Sequence, residues 1–272
     1  MASDTLVTKS SLISDIRKLG VGEGSTLLVH SSLRSLGWVC GGAVAVILAL
    51  EEVLGEDGTL VMPAHSTELS DPSCWRNPPA PEGWWDVIRD EIPPFQPDLT
   101  PTWHIGTIPE SFRKQDGTLR SSHPQVSFAA RGRNAEFVTS NHSLNFPLGE
   151  GSPLARVYDL DGYVFLLGVN HLSNTSIHLA EYRADYPWKK VVKNGAPLLV
   201  DGKRQWVEIE DINGWMYDFD KIGNEFNATG HVARGPVGKA DSLLMRQRTL
   251  VDFAVDWMRR NRREMPTFGK ER

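Results

Sequence analysis

An α/β fold is predicted, a mixed sheet sandwiched by helices, and three observations carry the prediction. Short apolar runs such as TLLVH (26–30), TLVMP (59–63) and YVFLLGV (163–169) alternate with stretches of helical period. Between residues 64 and 105 that rhythm breaks into a Trp/Pro-rich excursion. In the C-terminal third, VVKNGAPLLVDGKRQWVEI (191–209) carries Asn-Gly and Asp-Gly, the dipeptides of tight hairpins.

The elements follow in order. Thr8 or Ser10 can cap a helix bearing Leu12, Ile13, Ile16 and Leu19, stopped by Gly20. STLLVH then reads as a buried strand ending at His30, and SSLRSLGWVCGG as a glycine-bearing turn into the apolar helix AVAVILALEEVLG. GTLVMP is the next strand, so strand, loop, helix and strand form a crossover unit with parallel pairing. The excursion holds eight of the 17 prolines and four of the nine tryptophans without a period of either kind. A loop of this length is functional or disordered, and its aromatics argue for an ordered wall of a cleft. GTIPESFRKQ then reads as helix, VSFAA as a short strand, NAEFV and SPLARVYDL as helical pieces, and YVFLLGV as the central strand. A helix capped by Ser173 or Asn174 follows, then hairpin material turning at NG and DG. The tail ADSLLMRQRTLVDFAVDWMRR reads as one long amphipathic helix. One domain over residues 1–272 is expected, with 64–105 as its active-site excursion.

Composition narrows the partners. A net charge of −5 with no Lys/Arg block makes nucleic acid an unfavoured partner and suits a small cationic ligand. The longest apolar run, AVAVILAL, is far too short to span a membrane. The start MASDTLVTKSSL does not have the layout of a secretory signal, and two cysteines make no disulfide framework. The expected setting is therefore a reducing cytoplasm.

Four motifs occur in series: HSSLRSLGWVCGGA, GTLVMPAHS, RSSHPQVSFAARG and LLGVNHLSNTSIHLAEYRAD. Together they resemble the aminoglycoside N(3)-acetyltransferase family, the antibiotic acetyltransferases distinct from the GNAT fold. The likeness runs from about Thr8 to the C-terminal helix. It implies an antibiotic acetyltransferase-like α/β sandwich, acetyl-coenzyme A as donor, and the 3-amino group of 2-deoxystreptamine aminoglycosides as acceptor. A homodimer is left open.

That reaction needs a base near neutrality, hydrogen-bond donors for an oxyanion, and a groove for the donor. His178 fits the base: histidine titrates at about 6.5, and a helix's first turn favours the neutral ring. Glu181, three residues on, shares its helix face and can take the other ring N–H. The resemblance places the base at this histidine. Thr175 and Ser176 could position the thioester or protonate the departing sulfur, or simply cap the helix. The turn after the first strand is the expected donor site, through His30, Ser31, Ser32 and Leu33 and the close approach allowed by Gly37, Gly41 and Gly42. His30 is assigned to the donor on the resemblance, with direct catalysis as the weaker alternative. For the polycationic acceptor the carboxylates singled out are Asp71, Glu208 and Asp211, from the excursion and from VEIEDINGWMYDFDKIGNEF.

Competing chemistries are disfavoured. His171, His178 and Glu181 match no zinc spacing, so no metal is expected. Cys40 as a nucleophile would require a covalent route the resemblance does not imply. Arg120 and His123 of RSSHP read as a structural turn. No G-x-S-x-G elbow is present. Two further readings remain: a non-catalytic coenzyme A- or sugar-binding protein, and an acetyltransferase acting on another small amine metabolite.

Overall fold

The computed structural model describes residues 6–265. Its centre is a seven-stranded mixed sheet built from β1 (Thr26–Ser31), β2 (Thr59–Pro63), β3 (Leu119–Arg120), β4 (Phe128–Gly132), β5 (Tyr163–Leu167), β8 (Val232–Val237) and β9 (Ala240–Arg246). The strand order is β3-β4-β2-β1-β5-β9-β8. β1 runs parallel to both β2 and β5, and the outer pairings are antiparallel.

Burial on both faces explains the continuous apolar runs. Along β1, Leu27 and Val29 pack to one side and Leu28 to the other; along β5, Phe165 and Leu167 oppose Val164 and Leu166. The first side is covered by α1 (Lys9–Leu19), α2 (Gly42–Leu54) and α4 (Thr107–Arg113). The second is covered by α5 (Ala135–Thr139), α6 (Pro153–Asp159), α7 (Ser176–Arg183), α8 (Phe219–Asn227) and α9 (Gln247–Asn261). Thr8 caps α1 by accepting from the Ser11 backbone, and Gly20 ends it in the left-handed region, as expected.

Several expectations are corrected. ADSLLMR is not the first part of the final helix but β9, because Leu243 and Met245 enter one core while Leu244 enters the other. Consecutive apolar residues look like a helical stripe when both faces of a strand are covered. Asn194-Gly195 is not a turn; it lies inside β6 (Val191–Val200), opposite Ile209 and Glu208 of β7 (Lys203–Ile212). Glycine is needed there because the Trp206 indole lies across it, and a Cβ would sit 2.4 Å from Nε1. The hairpin turns at Asp201 and Gly202, both at positive φ. A Cβ at Gly202 would meet no neighbour. Gly202→Ala should therefore cost only the left-handed strain, about 1 kcal/mol, measurable as a small fall in the urea midpoint with an unchanged slope.

The excursion is ordered, as expected, but it contains a helix, α3 (Trp85–Glu91), and three short 3₁₀ turns. The Arg120 guanidinium pins it by donating to the carbonyls of Ala64, Pro97 and Thr100. Phe95 is buried beneath it. α7 starts at Ser176, after a 3₁₀ turn over His171–Ser173, and Asn174 Oδ1 accepts from the Ser176 backbone. The helix thus begins slightly later than expected, with His178 still in its first turn.

Candidate active site

A cleft of about 720 Å³ opens where the parallel strands β1, β2 and β5 end, the place where open α/β sheets bind ligands. His30 to Arg34 form its floor, and Pro63 and His65 follow from β2. His104 to Pro109, at the end of the excursion and the start of α4, make one wall. Thr175, His178 and Met216 also line the cleft. A second cavity of about 770 Å³ adjoins it, sharing Ser32, Val169 and Ser173 and adding Arg234, Lys239, Asp220 and Asp241.

His178 is the most developed feature of the cleft. Its ring Nδ1 stands 2.6 Å from Glu181 Oε2, and a quarter of its side chain is exposed. With a carboxylate at Nδ1, the neutral ring carries its proton there and presents the Nε2 lone pair. The ring packs edge-on against Phe219 at 4.7 Å between centroids. Glu181 is fully buried, and its Oε1 accepts 2.7 Å bonds from the Trp215 backbone and from Arg262 Nη1. Burial would raise the Glu181 carboxyl. The hydrogen bond from His178 and the neighbouring Arg262 charge outweigh that and hold it below its ordinary value.

His30 is buried, and its Nε2 lies 3.2 Å from Thr175 Oγ1. Burial first, and the His178 charge second, push it down to about 3, so it is neutral at pH 7. His65, missed in the sequence, behaves alike: burial and the nearby histidines bring it to about 3. Its Nε2 and the Ser31 hydroxyl are buried without a partner among the described residues. The signal was available, since His65 follows the end of β2 much as His30 ends β1.

Other expected residues lie elsewhere. Ser32, Leu33 and Thr175 line the cleft, whereas Gly37, Gly41, Gly42 and Ser176 do not. Gly37 packs on the Lys239 side chain. Gly41 and Gly42 begin α2 on the surface. The Ser176 hydroxyl is buried against Gln247 Nε2 at 3.0 Å. None of the three acceptor carboxylates lines the cleft. Asp71 is held in a two-pronged ion pair with Arg89 and is driven down to about 2, chiefly by that pairing. Glu208 pairs with Lys193 on the exposed hairpin. Asp211 accepts from the Tyr182 hydroxyl and the Ile212 backbone, and burial raises its carboxyl. Each is used by the fold, which a single sequence does not reveal. Asp220 and Asp241 border the second cavity instead.

His171 hydrogen-bonds with the Asn227 and Asn174 side chains. Among the described residues no helix is long and apolar enough to cross a membrane.

Comparison with known proteins identifies the family and its fold. Residues 28–259 match the family model described as aminoglycoside 3-N-acetyltransferase. The SPbeta prophage-derived aminoglycoside N(3')-acetyltransferase-like protein YokD of Bacillus subtilis is 46% identical, with 93% of each chain covered. Its crystal structure superposes with a TM-score of 0.92 over 94% of this chain and 95% of that one. Aminoglycoside N(3)-acetyltransferase VII of Streptomyces paromomycinus is 39% identical, covering 94% of this chain and 93% of its own. A solved structure of AAC-IIIb with CoASH is 30% identical, with a TM-score of 0.86 over 97% of this chain and all of its own.

Proposed function

Because this chain belongs to the aminoglycoside 3-N-acetyltransferase family, we propose that it moves the acetyl group of acetyl-coenzyme A to the 3-amino group of 2-deoxystreptamine antibiotics. The observation that carries the chemistry is the 2.6 Å contact between His178 Nδ1 and a fully buried Glu181, at the wall of the cleft. A protein that only held a ligand would have no use for a base so oriented. The coenzyme-bound neighbour supports the choice of donor.

In this reading His178 Nε2 takes the proton of the acceptor ammonium. The free amine attacks the thioester carbonyl carbon, and the oxyanion is met by the Ser31 hydroxyl, which is buried without a partner among the described residues. Collapse breaks the carbon–sulfur bond, the imidazolium returns its proton to the leaving thiolate, and the acylated nitrogen loses its second proton to water, leaving amide, thiol and one released proton. Glu181 holds the ring in one tautomer and balances the imidazolium. His30, neutral and bonded to Thr175, shapes the floor beside the thioester. We assign the far end of the donor to the second cavity, which shares Ser32 with the cleft and carries Lys239 and the Arg234–Asp241 pair in its lining. The reading places the enzyme in the cytoplasm as a single domain.

Asp71, Glu208 and Asp211 are engaged away from the cleft, and this favours a second reading with the same chemistry on a less cationic metabolic amine. Release of coenzyme A decides between them. With saturating acetyl-coenzyme A, 2-deoxystreptamine antibiotics should accelerate release, and NMR of the product should show the acetyl group on the 3-amino nitrogen. Acetylation at another nitrogen would overturn the regiochemistry. Acceleration by simple amines alone would establish the second reading.

A further inference from the structure

Arg262 lies just past the end of α9, 81 residues from Glu181 in the chain, yet it is almost wholly enclosed, with a side chain 2% exposed. Its Nη1 donates to Glu181 Oε1 at 2.7 Å, and its Nη2 to Asp218 Oδ1 at 2.6 Å and the Trp215 carbonyl at 2.8 Å. Its Nε donates to Asp218 Oδ2 at 2.8 Å. The guanidinium lies against the Tyr186 and Trp188 rings, at 5.1 and 5.7 Å from their centres. A surface arginine would not need so many partners.

We propose that Arg262 is a positioning residue of the transfer reaction, fixing Glu181 so that His178 keeps its proton on Nδ1 and its Nε2 free for the acceptor. The proposal rests on His178 being the base. The charge count supports it. A fully buried carboxylate next to an imidazole draws a proton onto the pair unless another cation balances it. Arg262 is that cation. With Asp218 and Glu181 it leaves one negative charge in excess, which matches the imidazolium formed when the base is protonated. The other titratable groups around the pair do not replace it. Tyr182 and Tyr186 are pushed upward and stay neutral, chiefly through burial. Asp211 on β7 adds negative charge. Lys189 acts on Glu181 only at longer range, its amine donating to the Tyr182 and Ala184 carbonyls. His30 and His65, on the far side of His178, are neutral.

The test is kinetic, on the full chain. Arg262→Met should lower kcat about 10- to 100-fold and leave KM for acetyl-coenzyme A within about threefold. The acid limb of kcat/KM should move up by roughly one pH unit, because a positive charge beside the pair is lost. Arg262→Lys should recover part of both. In a Glu181→Gln background, Arg262→Met should cost little more, since the group it acts through is already neutral. If Arg262→Met does not fold, the neutral, polar Arg262→Gln must show the same loss of kcat and the same upward displacement. Multiplicative losses in the double variant, or an unmoved acid limb, would overturn the proposal and leave the base assignment standing. A His178→Ala enzyme with wild-type kcat would overturn both.

Discussion

His178→Ala should fold, bind acetyl-coenzyme A and lose roughly 10²–10⁴ in kcat, the span of general base catalysis. The loss should fall on kcat, because the role proposed for the imidazole is to take the acceptor's proton, and the ring lines the cleft with a quarter of its side chain exposed. Packing should survive, since the ring's Phe219 contact is edge-on and Glu181 keeps its bonds to Arg262 and the Trp215 backbone. Glu181→Gln should cost less. The amide oxygen can still accept the ring N–H, but it cannot balance the imidazolium. The kcat/KM profile should rise with pH as the base loses its proton. Acceptors of lower amine pKa, compared side by side, separate the enzyme's ionisation from the substrate's. A folded His178→Ala enzyme with near wild-type kcat would make the histidine an ordinary polar residue of a helix.

Acid should unfold the protein through its buried histidines. His30, His123 and His142 are all buried. Burial chiefly pushes them down, to about 3, about 3 and about 4. Their nitrogens have neutral uses: His123 Nδ1 accepts from the Gln125 and Val126 backbones, and His142 Nδ1 lies 2.9 Å from the Ser121 hydroxyl. The unfolded chain therefore binds more protons than the native state below the ordinary histidine value. Stability from these groups is complete above about pH 6.5 and is lost as pH falls toward the folded values. At pH 5 each group has lost about 2 kcal/mol, and the three together about 6, comparable with the whole stability of a domain. Urea titrations at pH 7, 6 and 5 should show a steeply falling midpoint. A midpoint flat across that range would mean that these rings are solvated and titrate in the native state.

Much of the fold was legible because its signals are local. Thr8 and Gly20 punctuate the first helix, and the runs at 26–30, 59–63 and 163–167 became parallel neighbours. Misreadings arose where one pattern has two tertiary solutions. Leu243, Leu244 and Met245 fit a helix stripe or a strand covered on both faces, and only the sheet's second layer selects the strand. Asn194-Gly195 has turn chemistry, yet Trp206 requires the glycine for a different reason.

The sequence alone determined the pairing of His178 with Glu181, since residues three apart in a helix share a face whatever packs around them. It also determined that the turn after β1 borders the cleft, because a strand's carboxyl end leads there. Tertiary structure decided the rest. Arg262 and Trp215 reach Glu181 only because α9 and the segment after β7 fold over the same helix. His65 joins His30 and His178 only because β1, β2 and β5 are parallel neighbours. Asp71 pairs with Arg89, and Asp211 with Tyr182, only because distant segments meet in the fold. Local spacing fixes which side chains share a face, whereas which charges are already paired depends on contacts between segments far apart in the chain.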